Sequence, residues 1–299
     1  MIKIDLICGF LGAGKTTFLK KYANYYIDLG LNICILENDF GAVNVDMMLL
    51  DNINCDKEMV SGACDYDCHF RRFKTKLISM AMRGYDRVLV EPSGLFQTDE
   101  FFDALSEEPL NSFYEIGNIF CIYDIHTKDL SNEAKSYLAS MVASAGKLIV
   151  TKREDNKLLD INYLNQILLE FNSDRLISEN DVLYKDNIQI KDIINVGYHV
   201  PSTKRLFVND KTFDSIYYLD KGFNLNIIEE IANTIYNDNS YGNIVRLKGF
   251  IHDNDKWYRI NITKNEKDIS LIENGQDVFI IIGEEINKDK INALIESIN

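Results

Sequence analysis

"GFLGAGKT", residues 9–16, fits the pattern G-x-x-x-x-G-K-S/T. Its context decides how it is read. The preceding run "IKIDLIC" (2–8) has strand character, and a helical pattern runs from Lys15 to about Leu29. A strand, a glycine-rich turn and a helix start, in that order, form a phosphate-binding loop. Gly9, Gly12 and Gly14, with only a methyl at Ala13, let the backbone wrap closely, so that successive N–H groups face phosphate oxygens. Lys15 reaches the β- and γ-phosphates, Thr16 offers a hydroxyl to Mg2+, and Thr17 extends the same turn. The bland alternative, a glycine turn with a chance lysine, does not explain the position between strand and helix.

Outward from this loop the first half alternates apolar runs with helical patterns. "NICILEN" (32–38), "RVLVEP" (87–92), "IGNIFCIYD" (116–124) and "KLIVTK" (147–152) read as strands. Phe70, Phe73, Leu77 and Met80 form the stripe of an amphipathic helix. Strands that are apolar throughout and separated by helices predict a doubly wound, mostly parallel α/β sheet of the P-loop NTPase class. After about Pro201 the texture changes. "FDSIYYL" (213–219) reads as a strand and "LNIIEEIANTIY" (225–236) as a helix. "GNIVRLKGFI" and "KWYRINIT" flank the turn "HDND", "DVFIIIG" (277–283) is a last strand, and Ile291, Leu294, Ile295 and Ile298 mark a closing helix. This predicts a small α+β unit with helices on one face of an antiparallel sheet. The expected domains are 1–202 and 203–299, with 174–202 ambiguous.

Composition limits the function classes. Of 299 residues, 46% are hydrophobic and 26% charged, ordinary for a globular protein that builds a core without staples. The 46 Asp and Glu outnumber 32 Lys and Arg, a formal charge of −14 that argues against nucleic acid as a partner. Six cysteines show no disulfide framework. The N-terminal run does not read as a signal peptide, and no run is long enough to span a bilayer, so a membrane partner is not expected. A reducing cytoplasm is the expected compartment.

Beyond the P-loop, "GFLGAGKTTFL", "ENDFGAVNVD" (37–46) and "EPSGL" (91–95) occur together. The second half adds "GNIVRLKGFI", "KWYRINIT" and "FIIIGEEINKDKINALI" (279–295). With these, the chain resembles the CobW-type P-loop GTPases nearly end to end. That family is related to the urease and hydrogenase maturation GTPases and to nitrile hydratase activators. The resemblance implies GTP and Mg2+ as cofactors and a GTPase that assists metal or metallocofactor delivery to a client metalloenzyme or apoprotein. It makes 37–46 and 91–95 the switch regions. Glu91, ending a strand beside the P-loop, would organise Mg2+ or the attacking water. A Gly94 N–H would sense the γ-phosphate. Asp39 and Glu37 would lie near the same phosphates, with a solvated strand end as the plain reading of Glu37. No catalytic arginine is signalled, so slow intrinsic turnover is expected.

The chain departs from the family pattern twice. The family's C-x-C-C after a glycine is replaced by "ACDYDC" after Gly62, leaving Cys64 and Cys68 as C-x-x-x-C with His69 adjacent. The base-reading N-K-x-D becomes "TKRED": Lys152 matches, Thr151 replaces asparagine, and Glu154 stands where the aspartate would be. A carboxylate still accepts from guanine N1–H and N2–H, with a different reach. For the cysteine stretch three readings stand. Two thiolates with His69 or a carboxylate such as Glu37 suit four-coordinate Zn2+. A helix start near Asp67 or Cys68 favours thiolate there, but Asp67 also reads as a plain N-cap. The third reading is redox chemistry. A lone histidine here more often faces solvent. Cys8, Cys34 and Cys121 fall in apolar strands as small hydrophobes, and Cys55 is undecided. His126, His199 and His252 have no metal-like spacing. Arg71, Arg72, Lys74 and Lys76 form a basic helix face, solvated or salt-bridged. Two rival functions remain. One is a nucleotide-switched activator of a client enzyme, such as a corrinoid-dependent one, without metal cargo. The other is a small-molecule ATP kinase, which would explain neither "ENDFG" nor the C-terminal resemblance. A homodimer is left open.

Overall fold

The computed structural model describes residues 1–38, 47, 49–61, 66–94, 96–128, 130–152, 157–200, 214–264 and 266–298. The chain divides into two compact units, Met1–Phe207 and Val208–Asn299. The boundary expected at 202/203 lies outside the described residues.

The first unit carries a seven-stranded sheet. Its strands are β1 (Ile2–Gly9), β2 (Ile33–Asn38), β3 (Asp56–Val60), β4 (Arg87–Pro92), β5 (Tyr114–Asp124), β6 (Lys147–Thr151) and β7 (Val182–Tyr184), in the order β3-β2-β4-β1-β5-β6-β7. Every described pairing is parallel. Parallel strands need crossovers, and the helices that supply them cover both faces. These are α1 (Lys15–Asp28), α2 (Tyr66–Ala81), α3 (Thr98–Ser106), α4 (Leu110–Phe113), α5 (Asn132–Ser144) and α6 (Ile161–Glu170). The chain moves from β1 out to β3, returns at β4, and crosses to β5 on the other side of β1. That reversal puts the crevice for a ligand at the C-terminal end of β1.

The helix α1 leaves that crevice. Its apolar stripe, Phe18, Leu19, Tyr22, Ala23 and Tyr26, packs on Ile7, Ile35, Leu89, Phe120 and Ile122 of the sheet. Gly30, at φ +77°, ends it in a Schellman motif: Gly30 N donates to Ile27 O at 2.8 Å and Leu31 N to Tyr26 O at 3.1 Å. A buried polar knot fixes its orientation. Tyr22 donates to Asp5 at 2.9 Å, and Asp5 also takes Asn118 N at 2.7 Å and the Arg87 guanidinium. Arg87 lies 4.4 Å from the Tyr26 ring centre.

The second unit has β8 (Asp214–Leu219), β9 (Asn243–Asp253), β10 (Lys256–Thr263), β11 (Glu266–Ile272) and β12 (Val278–Glu284), ordered β11-β10-β9-β12-β8 and antiparallel throughout. Alternate residues Ile216 and Tyr218, Leu247 and Ile251, Ile260 and Ile262, and Phe279 and Ile281 face a core shared with α7 (Leu225–Asn237) and α8 (Lys288–Ile298). The β9–β10 turn is two residues, Asn254 and Asp255, both at positive φ. That is the geometry whose twist matches the flanking strands.

Candidate nucleotide site

The loop between β1 and α1 is shaped by its glycines. Gly9, Gly12 and Gly14 sit at φ +148°, +75° and +96°, in or near conformations that side chains resist. A methyl on Gly9 would lie 2.2 Å from Ile122 O. Ala13 N donates to Phe10 O at 3.2 Å, and α1 starts after Gly14 with no acidic residue in its first turn. The helix therefore presents unshared N–H groups and the positive end of its dipole to the crevice. Lys15 is buried and Thr17 exposed.

Three distant segments converge on this loop. Thr16 Oγ1 donates to Glu91 Oε1 at 2.8 Å, across 75 residues. Glu91, next to last in β4, lies opposite Glu37 in the register with β2, and both carboxylates are buried. A hydroxyl beside buried carboxylates is an oxygen donor set that fits Mg2+. Gly94 lies so close to Leu11 that an added methyl would come within 2.7 Å of the Leu11 nitrogen. The segment after Glu91 is thus held against the P-loop, and Ser93 N donates to Asn38 O at 2.8 Å, tying it also to the end of β2. The third segment is the end of β6. Thr151 Oγ1 donates to Ala13 O at 2.7 Å and lies 3.3 Å from Tyr123 O. Lys152 follows at φ +54°, with its Nζ 3.3 Å from Asp124 Oδ2.

The cysteine region is partly visible. Cys68 lies in the first turn of α2, which begins at Tyr66. His69 does not face solvent: it is 2% exposed, and its Nε2 lies 2.7 Å from Asn38 Oδ1. A metal bond through Nε2 would displace that amide. Among the described residues no three His, Cys, Asp or Glu side chains cluster as a metal site. Asp39, Cys64 and Glu154 lie outside the described residues. The basic face of α2 is paired: Lys74 with Glu107 at 2.7 Å, Lys76 with Glu58 at 2.8 Å, and Arg72 on Ser61 O at 3.0 Å.

A cavity of 530 Å³ lined by Asn32, Asp51, Ile53, Cys55 and Lys57 lies at the N-terminal ends of β2 and β3. Ligands of open parallel sheets bind at the other end of the strands, so this cavity is not the nucleotide site.

Residues 3–178, more than half of the chain, match the family described as CobW/HypB/UreG, nucleotide-binding domain. The chain belongs to the CobW/HypB/UreG family. It is 28% identical over 161 residues to the zinc chaperone YjiA of Escherichia coli (strain K12), covering 51% of this chain and 50% of that protein. To the zinc chaperone YeiR of the same strain it is 29% identical over 138 residues, 44% and 42% of the two chains. The chain thus spans about half or less of the length of these curated relatives. The solved Zn(II)-bound YjiA GTPase from E. coli aligns over 100% of this chain and 99% of its own, at 17% identity and a TM-score of 0.34. The matched CobW/HypB/UreG segment contains the P-loop, Glu91, Gly94 and Lys152, so the converging segments all fall within it.

Sequence reasoning misses the contacts of four residues here. Thr151 reads as a lost asparagine, yet it ties β6 to the P-loop. Asp124 and His126 were passed over, although an acid ending a parallel strand at the crevice is a signal in itself. Asn38 carries both the His69 and the Ser93 contacts. No helix among the described residues is long and apolar enough to cross a membrane.

Proposed function

We propose that this chain binds and slowly hydrolyses GTP with Mg2+, and that the cycle serves metal or metallocofactor delivery to a client metalloenzyme or apoprotein in the cytoplasm. The observation that carries the reading is the convergence on the P-loop of Glu91, Gly94 and Thr151, in a chain of the CobW/HypB/UreG family. In this reading the residues of 9–17 cradle the phosphates, and Lys15 neutralises the β- and γ-phosphates. Thr16 and Glu91 hold Mg2+, which supplies charge neutralisation when bound. Asp39 and Glu91 orient the attacking water, and a Gly94 N–H senses the γ-phosphate. Lys152 packs along the base while Glu154 accepts from its N–H edge. The GTPase part is assigned to 1–202 and the α+β part to 203–299. Calorimetric titration tests it. Lys15→Ala should weaken GTP binding by about 2–3 kcal/mol, and GTP should compete better than ATP. Unchanged affinity in the variant, or a preference for ATP, would defeat the assignment.

For the cargo, the zinc-chaperone names of the relatives support Zn2+, taken as substrate by Cys64 and Cys68 with Glu37 or His69. One observation favours the reading without cargo: His69 Nε2 is engaged by Asn38. Zn2+ uptake under reducing conditions separates the two. Metal delivery requires tight binding that Cys64→Ser with Cys68→Ser abolishes while GTP binding persists. An activator without cargo takes up no Zn2+, with or without GTP.

A further inference from the structure

Cys8 and Cys121 read from sequence as two separate small hydrophobes. The sheet makes them a pair. Cys8 immediately precedes Gly9, the first glycine of the P-loop, and in the parallel register of β1 with β5 it lies beside Cys121, as Gly9 lies beside Ile122. Register partners on adjacent strands send their side chains to the same side of the sheet. Here it is the side away from α1, which packs on Ile7, Phe120 and Ile122. Both thiols are fully buried. Cys8 Sγ donates to Phe120 O at 3.3 Å. That uses its one hydrogen, so in the contact between the two thiols Cys121 is the donor and the Cys8 sulfur accepts. Among the described residues no other two cysteines are register partners.

Adjacent strands lie about 4.7–4.9 Å apart, and disulfides usually join Cα atoms about 4.4–6.8 Å apart. The two backbones are thus already at bonding distance. Side chains that point the same way keep roughly the strand spacing, whereas a disulfide wants its Cβ atoms about 3.5–4.5 Å apart. Closing the bond therefore draws β1 toward β5. One residue on there is no slack, because a methyl on Gly9 would already lie 2.2 Å from Ile122 O. The backbone at Gly9, held at φ +148°, must turn aside. The phosphate cradle starts from that residue.

These thiols are not standing nucleophiles. The contact with Cys8, and then burial, push the Cys121 thiol well above its ordinary range, while the Lys15 ammonium pulls it down. Bulky thiol reagents do not reach the pair, but hydrogen peroxide is hardly larger than water. We infer that Cys8 and Cys121 are a dithiol that peroxide closes to a disulfide, and that the closed bond disables the P-loop. The effect on nucleotide rests on the reading of 9–17 as a phosphate site. Cys121, the thiol that feels Lys15, attacks one peroxide oxygen. The O–O bond breaks, one water leaves with the thiol proton, and a sulfenic acid remains. The Cys8 sulfur attacks the Cys121 sulfur, its proton leaves with the hydroxyl as a second water, and the S–S bond forms. Two thiols lose two electrons and two protons, and the peroxide takes both. A dithiol reductant reverses the bond by exchange.

The test treats reduced protein with hydrogen peroxide and removes the excess with catalase. Peptide mapping, calorimetric titration with GTP and a thermal midpoint follow on each sample. Wild type should lose the mass of two hydrogens and yield a linked peptide pair containing Cys8 and Cys121. Its GTP affinity should fall about tenfold or more and return with dithiothreitol. Cys8→Ala and Cys121→Ala should keep their GTP affinity through the same treatment, whereas Cys64→Ser with Cys68→Ser should lose it as wild type does. By linkage, GTP should favour the dithiol by the same factor in a dithiothreitol redox buffer. Absence of the 8–121 link overturns the inference. So does a linked protein that binds GTP as tightly as the reduced one, or one that has unfolded at the assay temperature. A loss of affinity that persists in Cys8→Ala or Cys121→Ala overturns it as well. If one of these variants does not fold, the other decides together with the peptide map of wild type. A reduced wild type that binds no nucleotide overturns the nucleotide reading instead, and the linked peptide pair then decides whether the dithiol closes.

Discussion

At the scale of single residues, Thr151 shows how one hydroxyl can stand in for a larger side chain. Its Oγ1 donates to Ala13 O at 2.7 Å from a position 2% exposed. A buried carbonyl deprived of its donor costs about 1–3 kcal/mol. Thr151→Val keeps the shape and removes the donor. The variant should be about 1–2 kcal/mol less stable in denaturant titration and should bind GTP more weakly, while Thr151→Ser stays near wild type. A valine variant as stable and as tight as wild type would rule out the tie. Why this contact escapes sequence reading is plain: donor and acceptor are 138 residues apart, and no local pattern links them. The glycines of 9–14 are legible for the opposite reason. Their positive φ is demanded locally, so residue type and conformation coincide. His69 lies between these cases. Its place beside Cys68 reads from sequence as a ligand or a solvated ring, and only the fold shows Asn38 at its Nε2.

At the scale of elements, legibility follows burial. The strands β1, β2 and β4–β6 are apolar runs because helices cover both faces, and the α7 stripe and the β9–β10 hairpin carry periods of their own kind. The edges β3, β7 and β11 were not foreseen. The β3 sequence "DKEMV" opens with three charged residues and buries only its last, Val60, as edge strands do to discourage further pairing. Little apolar area docks it, so polar contacts contribute. Glu58 takes Lys76 at 2.8 Å and Arg83 from the end of α2 and beyond, and Tyr85 donates to Asp56 at 2.6 Å. The Lys76 hydrogen bond, with the charges of Lys76 and Arg83, holds the Glu58 carboxyl below its ordinary 4.5 despite partial burial. A depressed carboxylate contributes stability that is present above the unfolded value and lost as pH falls through the folded one. Glu58→Gln should therefore be less stable than wild type by about 0.5–1 kcal/mol at neutral pH. The gap should close as the pH falls from above the ordinary 4.5 through the depressed folded-state value, and narrow with added salt. Urea titrations at several pH values check this. A gap that stays constant across the acid range would mean that charge plays no part in docking β3.

At the scale of the whole molecule, the change of texture near Pro201 foretells two units with separate cores, one around α1 and the parallel sheet and one around α7, α8 and the antiparallel sheet. Sequence patterns show this because a parallel sheet buried on both faces and an antiparallel sheet packed by helices differ in apolar period along the entire length of each unit. The net charge of −14 is likewise a property of the entire chain, and it sets up an opposition with the proposed ligand, itself an anion. Range resolves it. Within hydrogen-bond distance the N–H groups of the P-loop, the α1 dipole and Lys15 dominate. Further out the excess of Asp and Glu dominates, as far as salt allows. The Debye length falls from about 30 Å at 0.01 M to about 8 Å at 0.15 M. An approaching Mg–GTP anion therefore meets a repelling field at low salt that is screened at physiological salt, whereas the contacts that retain it lie inside the screening distance. The association rate constant should rise, by about twofold or more, over that range of ionic strength, and the dissociation rate should change less. This is the reverse of electrostatic steering onto a basic protein. Stopped-flow mixing with a fluorescent GTP analogue at fixed Mg2+ measures both constants. An association rate that falls with added salt would mean that the local field of the P-loop extends beyond the reach assigned to it here and outweighs the charge of the chain.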